Sequence, residues 1–204
     1  MYKDKSISEY LDDLAAKKPA PGGGSAAAAC ASIGVSLMSM VANYTVGNPK
    51  YKAHEERIAS LLAKVEKDRK RFESLIDEDV ESYNRLSKGI KESAKDTAKL
   101  EVLYKEAMTP PFETCKLAYD CLKLCEELAR YGNRNLVTDT AIAAIMLEGA
   151  FLSARFNVYI NLKYIKDIEY IGMVHKTLEP LEKEITKLKD RILEKCEEVI
   201  QKVT

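Results

Sequence analysis

The feature that most constrains the fold is a long run of apolar residues at helical spacing. From residue 58 to residue 90 apolar side chains recur every three or four positions, as on one face of an α-helix. They are Ile58, Leu61, Leu62, Val65, Phe72, Leu75, Ile76, Val80, Tyr83, Leu86 and Ile90. A second stripe, with the spacing of a coiled-coil seam, comprises Leu178, Leu181, Ile185, Leu188, Ile192, Cys196, Val199 and Val203. With nine Gly, six Pro and no Trp, the chain has too few turn residues for a many-stranded β fold. The sequence therefore predicts an all-α bundle of long helices.

Start and stop signals divide the chain into roughly five to seven helices. The first begins after Ser6, and residues 17–24 are predicted to be non-helical. Asn48 is the predicted N-cap of the long third helix, with Pro49 in its first position. A polar break covers residues 93–96, and the next helix is predicted to restart or kink at Thr109-Pro110-Pro111. Ala-rich helices are predicted over residues 25–46 and 139–162, before the last helix.

Composition indicates one globular domain over residues 1–204. The chain is 46% hydrophobic and 31% charged, which is outside the range of disordered proteins. Its 32 basic and 32 acidic residues give no net charge, so neither nucleic acid nor an anionic membrane is an expected partner. Helices this long leave apolar area that one thin bundle does not cover. We therefore expect a homodimer, with the two Ala-rich helices and the C-terminal stripe as its basis.

The cysteines indicate a reducing compartment. Five are present, at positions 30, 115, 121, 125 and 196, and an odd count without a recognisable signal peptide favours free thiols in the cytoplasm. Cys115, Cys121 and Cys125 could form half of a metal site, but His54 and His175 both lie far away in sequence. Buried structural thiols are favoured, and no metal is expected.

One segment resembles a membrane span. Residues 25–46 carry no charge and approach the ~20 apolar residues that a spanning helix needs. The segment is mostly Ala and Ser, and the acidic amphipathic stretch before it is wrong for a signal peptide. A core helix is therefore favoured, with a membrane-associated helical protein as the weaker alternative.

The strongest local signal is Pro19-Ala20-Pro21-Gly22-Gly23-Gly24-Ser25, directly before an Ala-rich helix. Glycines let the backbone approach a ligand closely, and a helix N-terminus favours an anion. The segment is neither a P-loop nor a dinucleotide fingerprint, because the Gly-Lys-Ser/Thr sequence and a preceding strand are both missing. The residues alone are equally consistent with a flexible hinge in which Ser25 is an ordinary N-cap.

This segment and four others, in this order along nearly the whole chain, carry a family resemblance. The others are Met40-Val-Ala-Asn-Tyr-Thr-Val-Gly, Asp77-Glu-Asp-Val-Glu-Ser-Tyr-Asn, Gly132-Asn-Arg-Asn-Leu-Val-Thr-Asp and Ala154-Arg-Phe-Asn-Val-Tyr-Ile-Asn-Leu. Together they resemble the formiminotetrahydrofolate cyclodeaminase / methenyltetrahydrofolate cyclohydrolase family. The resemblance implies an all-helical homodimer that binds a reduced folate, polyglutamylated or not, as substrate and without another cofactor. Some members are fused to a formiminotransferase, and members that stand alone include cyclohydrolases.

Either reaction of that family needs acid–base chemistry at one carbon atom. In the deaminase reaction N10 attacks the formimino carbon on N5 and ammonia leaves; in the hydrolase reaction water attacks the methenyl carbon. Both need a base, an acid for the leaving nitrogen and stabilisation of an amidinium cation, for which carboxylates and amides suffice. Asp79 and Asp139 are the candidate catalytic residues. The alternatives are a solvated acidic face for Asp79 and a favourable helix-start charge for Asp139.

The candidate substrate-binding residues come from the glycine motif and from polar positions in the Ala-rich helices. They are Gly22, Gly23, Gly24, Ser25, Asn43, Arg155, Asn157 and Asn161. Amide contacts between helices are the alternative for Asn157 and Asn161. Lys17, Lys18, Arg134 or Arg155 could meet the glutamate carboxylates of a folate.

Helix geometry limits how these residues can combine. Ser25 and Asn43 are 18 residues apart, as are Asp139 and Asn157, which places the members of each pair ~27 Å apart along a helix. If the helices alternate in direction, residues 22–25 lie near Asn157, Asn161 and Asp79, and Asn43 lies near Asp139 at the other end. A site that uses both ends needs a subunit interface.

The leading interpretation is a folate-dependent one-carbon enzyme. A non-catalytic folate-binding or helical interaction protein with the same fold is the alternative. Both enzyme reactions involve the same methenyl carbon, so the residues favour neither.

Overall fold

A computed structural model, which describes residues 1–202, contains six α-helices. They are α1 (Ile7–Ala15), α2 (Gly23–Asn43), α3 (Glu55–Glu92), α4 (Thr97–Tyr131), α5 (Val137–Leu162) and α6 (Ile168–Gln201). Short 3-10 helices cover Tyr2–Asp4, Pro49–His54 and Arg134–Leu136. No strand occurs within residues 1–202, so the predicted all-α class is confirmed. Val203 of the C-terminal stripe lies outside the described residues.

Helices α2 to α5 form a four-helix bundle around one apolar core. Helix α2 packs against α3 and α5, α4 packs against the same two helices, and α6 covers the groove between α4 and α5. Successive helices run in opposite directions: Gly24 at the start of α2 meets Asp79 late in α3, and Asn133 between α4 and α5 bonds Thr45 after α2. One end of the bundle therefore combines the start of α2 with late α3 and late α5.

The start of α2 differs from the sequence-based expectation. Gly22 is its N-cap and contributes no side-chain hydrogen bond, and Gly23 and Gly24 are already helical. The prediction that residues 17–24 are non-helical is therefore wrong at Gly23 and Gly24, and the alternative in which Ser25 is an ordinary N-cap is excluded. Neighbouring α3 explains the difference. Its Asp79 carboxylate accepts a hydrogen bond from the Ser25 N–H, which in many helices is bound by the side chain of the N-cap residue. α1 begins after Ser6 as predicted, and Ser6 is its N-cap. The prediction that Asn48 caps the long third helix is wrong: Asn48 caps the 3-10 helix Pro49–His54, and α3 starts after it with His54 as its N-cap.

The two adjacent prolines do not restart α4. The helix runs without interruption from Thr97 to Tyr131, with Pro110 and Pro111 inside it and buried. A proline in a helix interior costs about 3 kcal/mol, since it removes a hydrogen bond and crowds the carbonyl four residues earlier. Packing of α4 against α3, α5 and α6 outweighs that cost.

The C-terminal stripe packs inside its own chain. Leu178, Ile185, Leu188, Ile192 and Cys196 are buried, and α6 contacts α4 and α5. The prediction that this stripe is free to form a dimer surface is therefore wrong, because the groove between α4 and α5 already covers it.

A different helix carries the exposed apolar residues. Along one face of α5, Ile142, Ile145, Phe156 and Ile160 are 46%, 51%, 67% and 49% exposed; we call these four residues the α5 stripe. Ile33 of α2 is also exposed, and it lies one turn after Cys30, whose thiol contacts the Met146 carbonyl of α5. The α5 stripe is the apolar area that the bundle leaves uncovered.

Two segments have the length and hydropathy of a membrane span, Gly23–Asn43 and Arg134–Leu162. In the most apolar stretch of the first segment 56% of the residues are buried inside the bundle, and in that of the second segment 33% are. Helix α2 lines the core, as expected for residues 25–46. The lower burial of the second segment follows from the α5 stripe.

The cysteines are free thiols, and four of the five are buried. Cys115 and Cys125 donate to the carbonyls of Phe151 and Thr140, and Cys121 donates to the buried Asp68 carboxylate. Burial raises the pKa of the Cys115 thiol to about 12, so it stays protonated. No group of three or more potential metal ligands occurs in the described part of the chain. These thiols pack as small core residues.

Gly132, which follows the last turn of α4, tests how little room its surroundings leave for a side chain. A Cβ at this buried position would lie 2.6 Å from the Leu128 carbonyl oxygen and 3.2 Å from Val41 Cγ1. Gly132→Ala is therefore expected to lower the free energy of unfolding by about 1–3 kcal/mol, measured by urea denaturation. Gly172→Ala, in an exposed turn of α6 with nothing near the added methyl group, is the control and is expected to raise it by up to ~1 kcal/mol. Equal midpoints for Gly132→Ala and the parent would contradict the close approach.

Candidate active site

A pocket of about 210 Å³ opens at the end of the bundle where α2 begins. Late α3, early α4 and late α5 supply its other walls. Its lining residues are Pro19, Ala20, Gly22, Gly23, Gly24, Asp79, Tyr83, Ala107, Asn157 and Asn161. Six of the ten predicted site residues line this pocket, as the alternating helix directions require: Gly22, Gly23, Gly24, Asp79, Asn157 and Asn161.

The Asp79 carboxylate lies against the first turn of α2. A Cβ on Gly24 would lie 2.1 Å from Asp79 Oδ1, so only glycine leaves room for the carboxylate. The backbone N–H of Ser25 donates to Asp79 Oδ2 at 2.8 Å. Asp79 therefore caps α2 from a helix 54 residues further along the chain.

Burial shifts the acidity of this group. Desolvation raises the pKa of Asp79 from its ordinary value of 3.8 to about 6, and the Ser25 N–H opposes this rise only in part. A carboxyl group with a pKa near neutrality can both accept and return a proton at working pH. Asp79 therefore has the acidity of a general acid–base residue.

Two amides face the glycine motif from α5. Asn157 Nδ2 lies 3.4 Å from the position that a Cβ on Gly23 would take. The amide nitrogens of Asn157 and Asn161 donate to carbonyls one turn earlier in their own helix, at 3.2 and 2.8 Å. These bonds are not the expected contacts between helices. They orient each amide and leave its oxygen as an acceptor for a ligand.

Ser25 contributes through its backbone rather than its side chain. The residue is fully buried, and its hydroxyl shares a hydrogen bond with the Tyr10 hydroxyl of α1 at 3.1 Å. This bond attaches α1 to the first turn of α2, directly behind the Asp79 carboxylate.

Several predicted site residues lie away from the pocket. Asn43 is exposed at the other end of α2 and donates to the Ser39 carbonyl. Asp139 lies in the first turn of α5, ~27 Å along that helix from Asn157. Arg155 points toward α6 and pairs with Glu182 at 3.3 Å.

The other cationic candidates are outside the pocket as well. Lys18 pairs with Asp13 of α1, and neither Lys17 nor Arg134 lines the pocket. Within one chain, the structure brings neither Asp139 nor any of the predicted cations to Asp79.

Four lining residues were not among the predicted site residues. Tyr83 was assigned to the apolar stripe of α3, but it is 44% exposed and lines the pocket one turn after Asp79. Spacing from Asp79 is the signal that could have found it. Pro19, Ala20 and Ala107 are apolar, and only the packing of α2 against α4 brings them together.

A second depression of about 210 Å³ lies between α3 and α4. It is lined by Glu78, Glu81, Ser82, Arg85, Glu106, Thr109 and Pro110. Arg85 pairs with Glu106 across it at 3.4 Å. Its lining includes neither an asparagine or glutamine side chain nor a glycine. The pocket around Asp79 has the better set of groups for binding and proton transfer.

The raised pKa of Asp79 predicts a pH-dependent cost to stability. Between about pH 4 and 6 the folded state binds more protons at Asp79 than the unfolded chain does, so stability falls as the pH rises through this range. Asp79→Asn keeps an acceptor for the Ser25 N–H but cannot ionise. At pH 8 the variant is expected to be about 1–3 kcal/mol more stable than the parent, with the difference lost near pH 4. Urea unfolding across this pH range measures it; a variant less stable at pH 8 would contradict the burial effect.

Comparison with known proteins agrees with this geometry. The family model described as formiminotransferase-cyclodeaminase matches residues 6–180. A methenyltetrahydrofolate cyclohydrolase from Methylorubrum extorquens is 33% identical over 95% of this chain and 97% of its own length. The formimidoyltransferase-cyclodeaminase of Rattus norvegicus is 30% identical over 80% of this chain, which spans only 32% of that relative.

A solved structure extends the agreement to three dimensions. The crystal structure of formiminotetrahydrofolate cyclodeaminase from Thermotoga maritima superimposes with a TM-score of 0.92 at 29% identity, covering 98% of this chain and all of the other. The match includes every helix that lines the pocket. The chain therefore belongs to the formiminotransferase-cyclodeaminase family.

Proposed function

We propose that the chain is a folate one-carbon enzyme that acts on the carbon unit between N5 and N10 of tetrahydrofolate. The observation that carries this proposal is the pocket in which Asp79, with a pKa of about 6, lies against glycine backbone and two oriented amides. Hydrolysis of the methenyl form is the first candidate reaction, supported by the relative that matches over nearly its full length. Ammonia loss from the formimino form is the second, supported by the structural similarity to a cyclodeaminase.

One carboxylate can serve either reaction. In hydrolysis, ionised Asp79 takes a proton from water as its oxygen attacks the methenyl carbon. The proton then passes to N5 as the C–N5 bond breaks, and the adduct hydroxyl loses its proton to solvent as the formyl C=O forms, which leaves the 10-formyl product. In ammonia loss, protonated Asp79 delivers its proton to the amino group of the tetrahedral adduct, and ammonia leaves with the methenyl cation remaining.

The charge of the pocket suits this cation. Asp79 is the single acidic residue in the lining, which contains no lysine or arginine. The exposed ring of Tyr83, one turn away, offers an aromatic face to a flat positively charged ring. Both features favour the methenyl form over a neutral folate.

The size of the pocket limits how much of the substrate it holds. Its volume of about 210 Å³ is below the ~300–1,000 Å³ of sites that enclose a drug-sized ligand. The reacting end of the folate therefore enters, and the glutamate tail, polyglutamylated or not, extends outside. Arg155 and the other predicted cations remain candidates for the tail.

We further propose a homodimer that works in the cytoplasm. The α5 stripe and Ile33 form an exposed apolar face that a second copy of the chain can cover. A dimer is also the arrangement that could bring Asp139 or Asn43 to the pocket of another copy. The free, buried thiols support a reducing compartment.

Asp79 and Asp139 form a matched pair for testing the chemistry. Asp79→Asn is expected to retain folate binding and to lose turnover by about 10²-fold or more, the usual range for an acid–base group. Asp139→Asn removes a charge in the first turn of α5. Turnover within about twofold of the parent is expected where this charge acts only on the helix dipole, and a loss like that of Asp79→Asn is expected where a second copy brings Asp139 to the pocket. The absorbance of the methenyl group, followed separately with methenyl- and formimino-tetrahydrofolate, measures both and identifies the reaction.

Two results would reject parts of this mechanism. Full turnover by Asp79→Asn would rule out Asp79 as the acid–base residue. Folate binding by the parent without conversion of either compound would favour the non-catalytic alternative.

The α5 stripe allows a separate test of the dimer. Phe156→Glu places a charge at the most exposed position of the stripe, and we expect it to convert a dimer to monomer at micromolar concentration by light scattering. Ile168→Glu makes the same kind of change at an exposed residue in the first turn of α6 and is expected to leave the dimer intact. A parent protein that is monomeric at this concentration would contradict the proposal.

A further inference from the structure

We propose that the backbone carbonyl of Ala107 accepts a hydrogen bond from an N–H group of the bound folate, and that Pro111 leaves this carbonyl free to do so. The inference rests on the proposed function and adds a contact made by the main chain of α4. It also gives the two buried prolines of that helix a role.

The chemistry of proline makes this carbonyl exceptional. In a helix, the carbonyl of residue i accepts from the N–H of residue i+4, or from i+3 where the turn tightens. For Ala107 these residues are Pro111 and Pro110, and neither has an N–H. The carbonyl of Glu106 loses only its i+4 donor, because its i+3 residue, Thr109, has an N–H. Ala107 is therefore the position in α4 at which both regular donors are missing.

The position of Ala107 connects this carbonyl to the site. Ala107 lines the pocket with Asp79, Tyr83 and Asn157, and it is only 5% exposed. A buried carbonyl without a donor is unfavourable, so nearly all such groups in native proteins have a partner. The ring of Pro111 also crowds the Ala107 carbonyl away from the helix axis. A ligand in the pocket can supply the donor that the helix does not.

The surrounding groups indicate what that ligand must offer. The oxygens of Asp79, Asn157 and Asn161 are acceptors, and the Ala107 carbonyl adds a fourth. A pocket with this set of acceptors recognises a heterocycle that presents several N–H groups. The reduced pterin ring, with its amino group and ring N–H groups, meets this requirement.

Pro111→Ala tests the inference. The alanine restores an N–H that donates to the Ala107 carbonyl and occupies it. We expect the KM for methenyltetrahydrofolate, and the Kd for tetrahydrofolate measured by calorimetry, to rise about three- to tenfold, the effect of losing one neutral hydrogen bond. We expect kcat to change by less than twofold and the urea midpoint to stay equal or rise, since alanine favours the helix. Pro111→Ser, which restores the same N–H, is the second variant should Pro111→Ala not fold.

Pro110→Ala provides a comparison one residue away. In α-helical geometry its restored N–H is directed to Glu106, which lines the separate depression between α3 and α4 and not the Asp79 pocket. Its effect on Kd is expected to be smaller than that of Pro111→Ala. Equal losses in both variants would mean that straightening α4 disturbs the pocket, and would overturn the inference.

The tetrahydrofolate Kd separates this inference from the proposed function. A parent that binds tetrahydrofolate, with an unchanged Kd in Pro111→Ala, would reject the Ala107 contact alone. A parent that neither binds nor converts any folate would reject both.

Discussion

The contact on which the site depends is the one between the Asp79 carboxylate and the first turn of α2. Gly22 cannot cap α2 with a side chain, and Gly24 has no Cβ, so the carboxylate of another helix can reach the Ser25 N–H at 2.8 Å. The contact caps α2 and removes Asp79 from most of the solvent at the same time. The Asp79 side chain therefore both caps α2 and serves as the candidate acid–base group. Its pKa is raised because the contact removes the carboxylate from water.

The rest of the bundle holds this contact in place and adds to it. The opposed directions of α2 and α5 bring Asn157 to Gly23, and the direction of α4 brings Ala107 to the same pocket. Each wall keeps polar groups available to a ligand. The glycines of α2 leave the backbone accessible, the asparagine amides of α5 bond within their own helix and keep their oxygens free, and the prolines of α4 leave a carbonyl without a donor. Such features cost stability in an ordinary helix, and their concentration at one end of the bundle is typical of a functional site.

Much of this protein could be predicted from periodicity and local signals. The long stripe of α3, the cap at Ser6 and the break at residues 93–96 depend on side chains close in sequence, and the structure confirms them. The expected proximity of residues 22–25, Asp79 and Asn157 also holds, because alternating helices of known length leave few arrangements. The prediction of the C-terminal stripe as a free surface is wrong, since a pattern shows that a face is buried but not which helix covers it.

The sequence by itself determined the all-α class, the order of the helices and the family to which the chain belongs, because these follow from spacing and from contiguous motifs. Only the tertiary structure decided where α2 begins, since its cap comes from α3, and that α4 continues through Pro110 and Pro111, since packing outweighs the lost hydrogen bond. It alone placed Tyr83 in the pocket and turned Arg155 toward Glu182. These outcomes depend on contacts between residues far apart in the chain, whose free energies exceed the local preferences that a sequence pattern records.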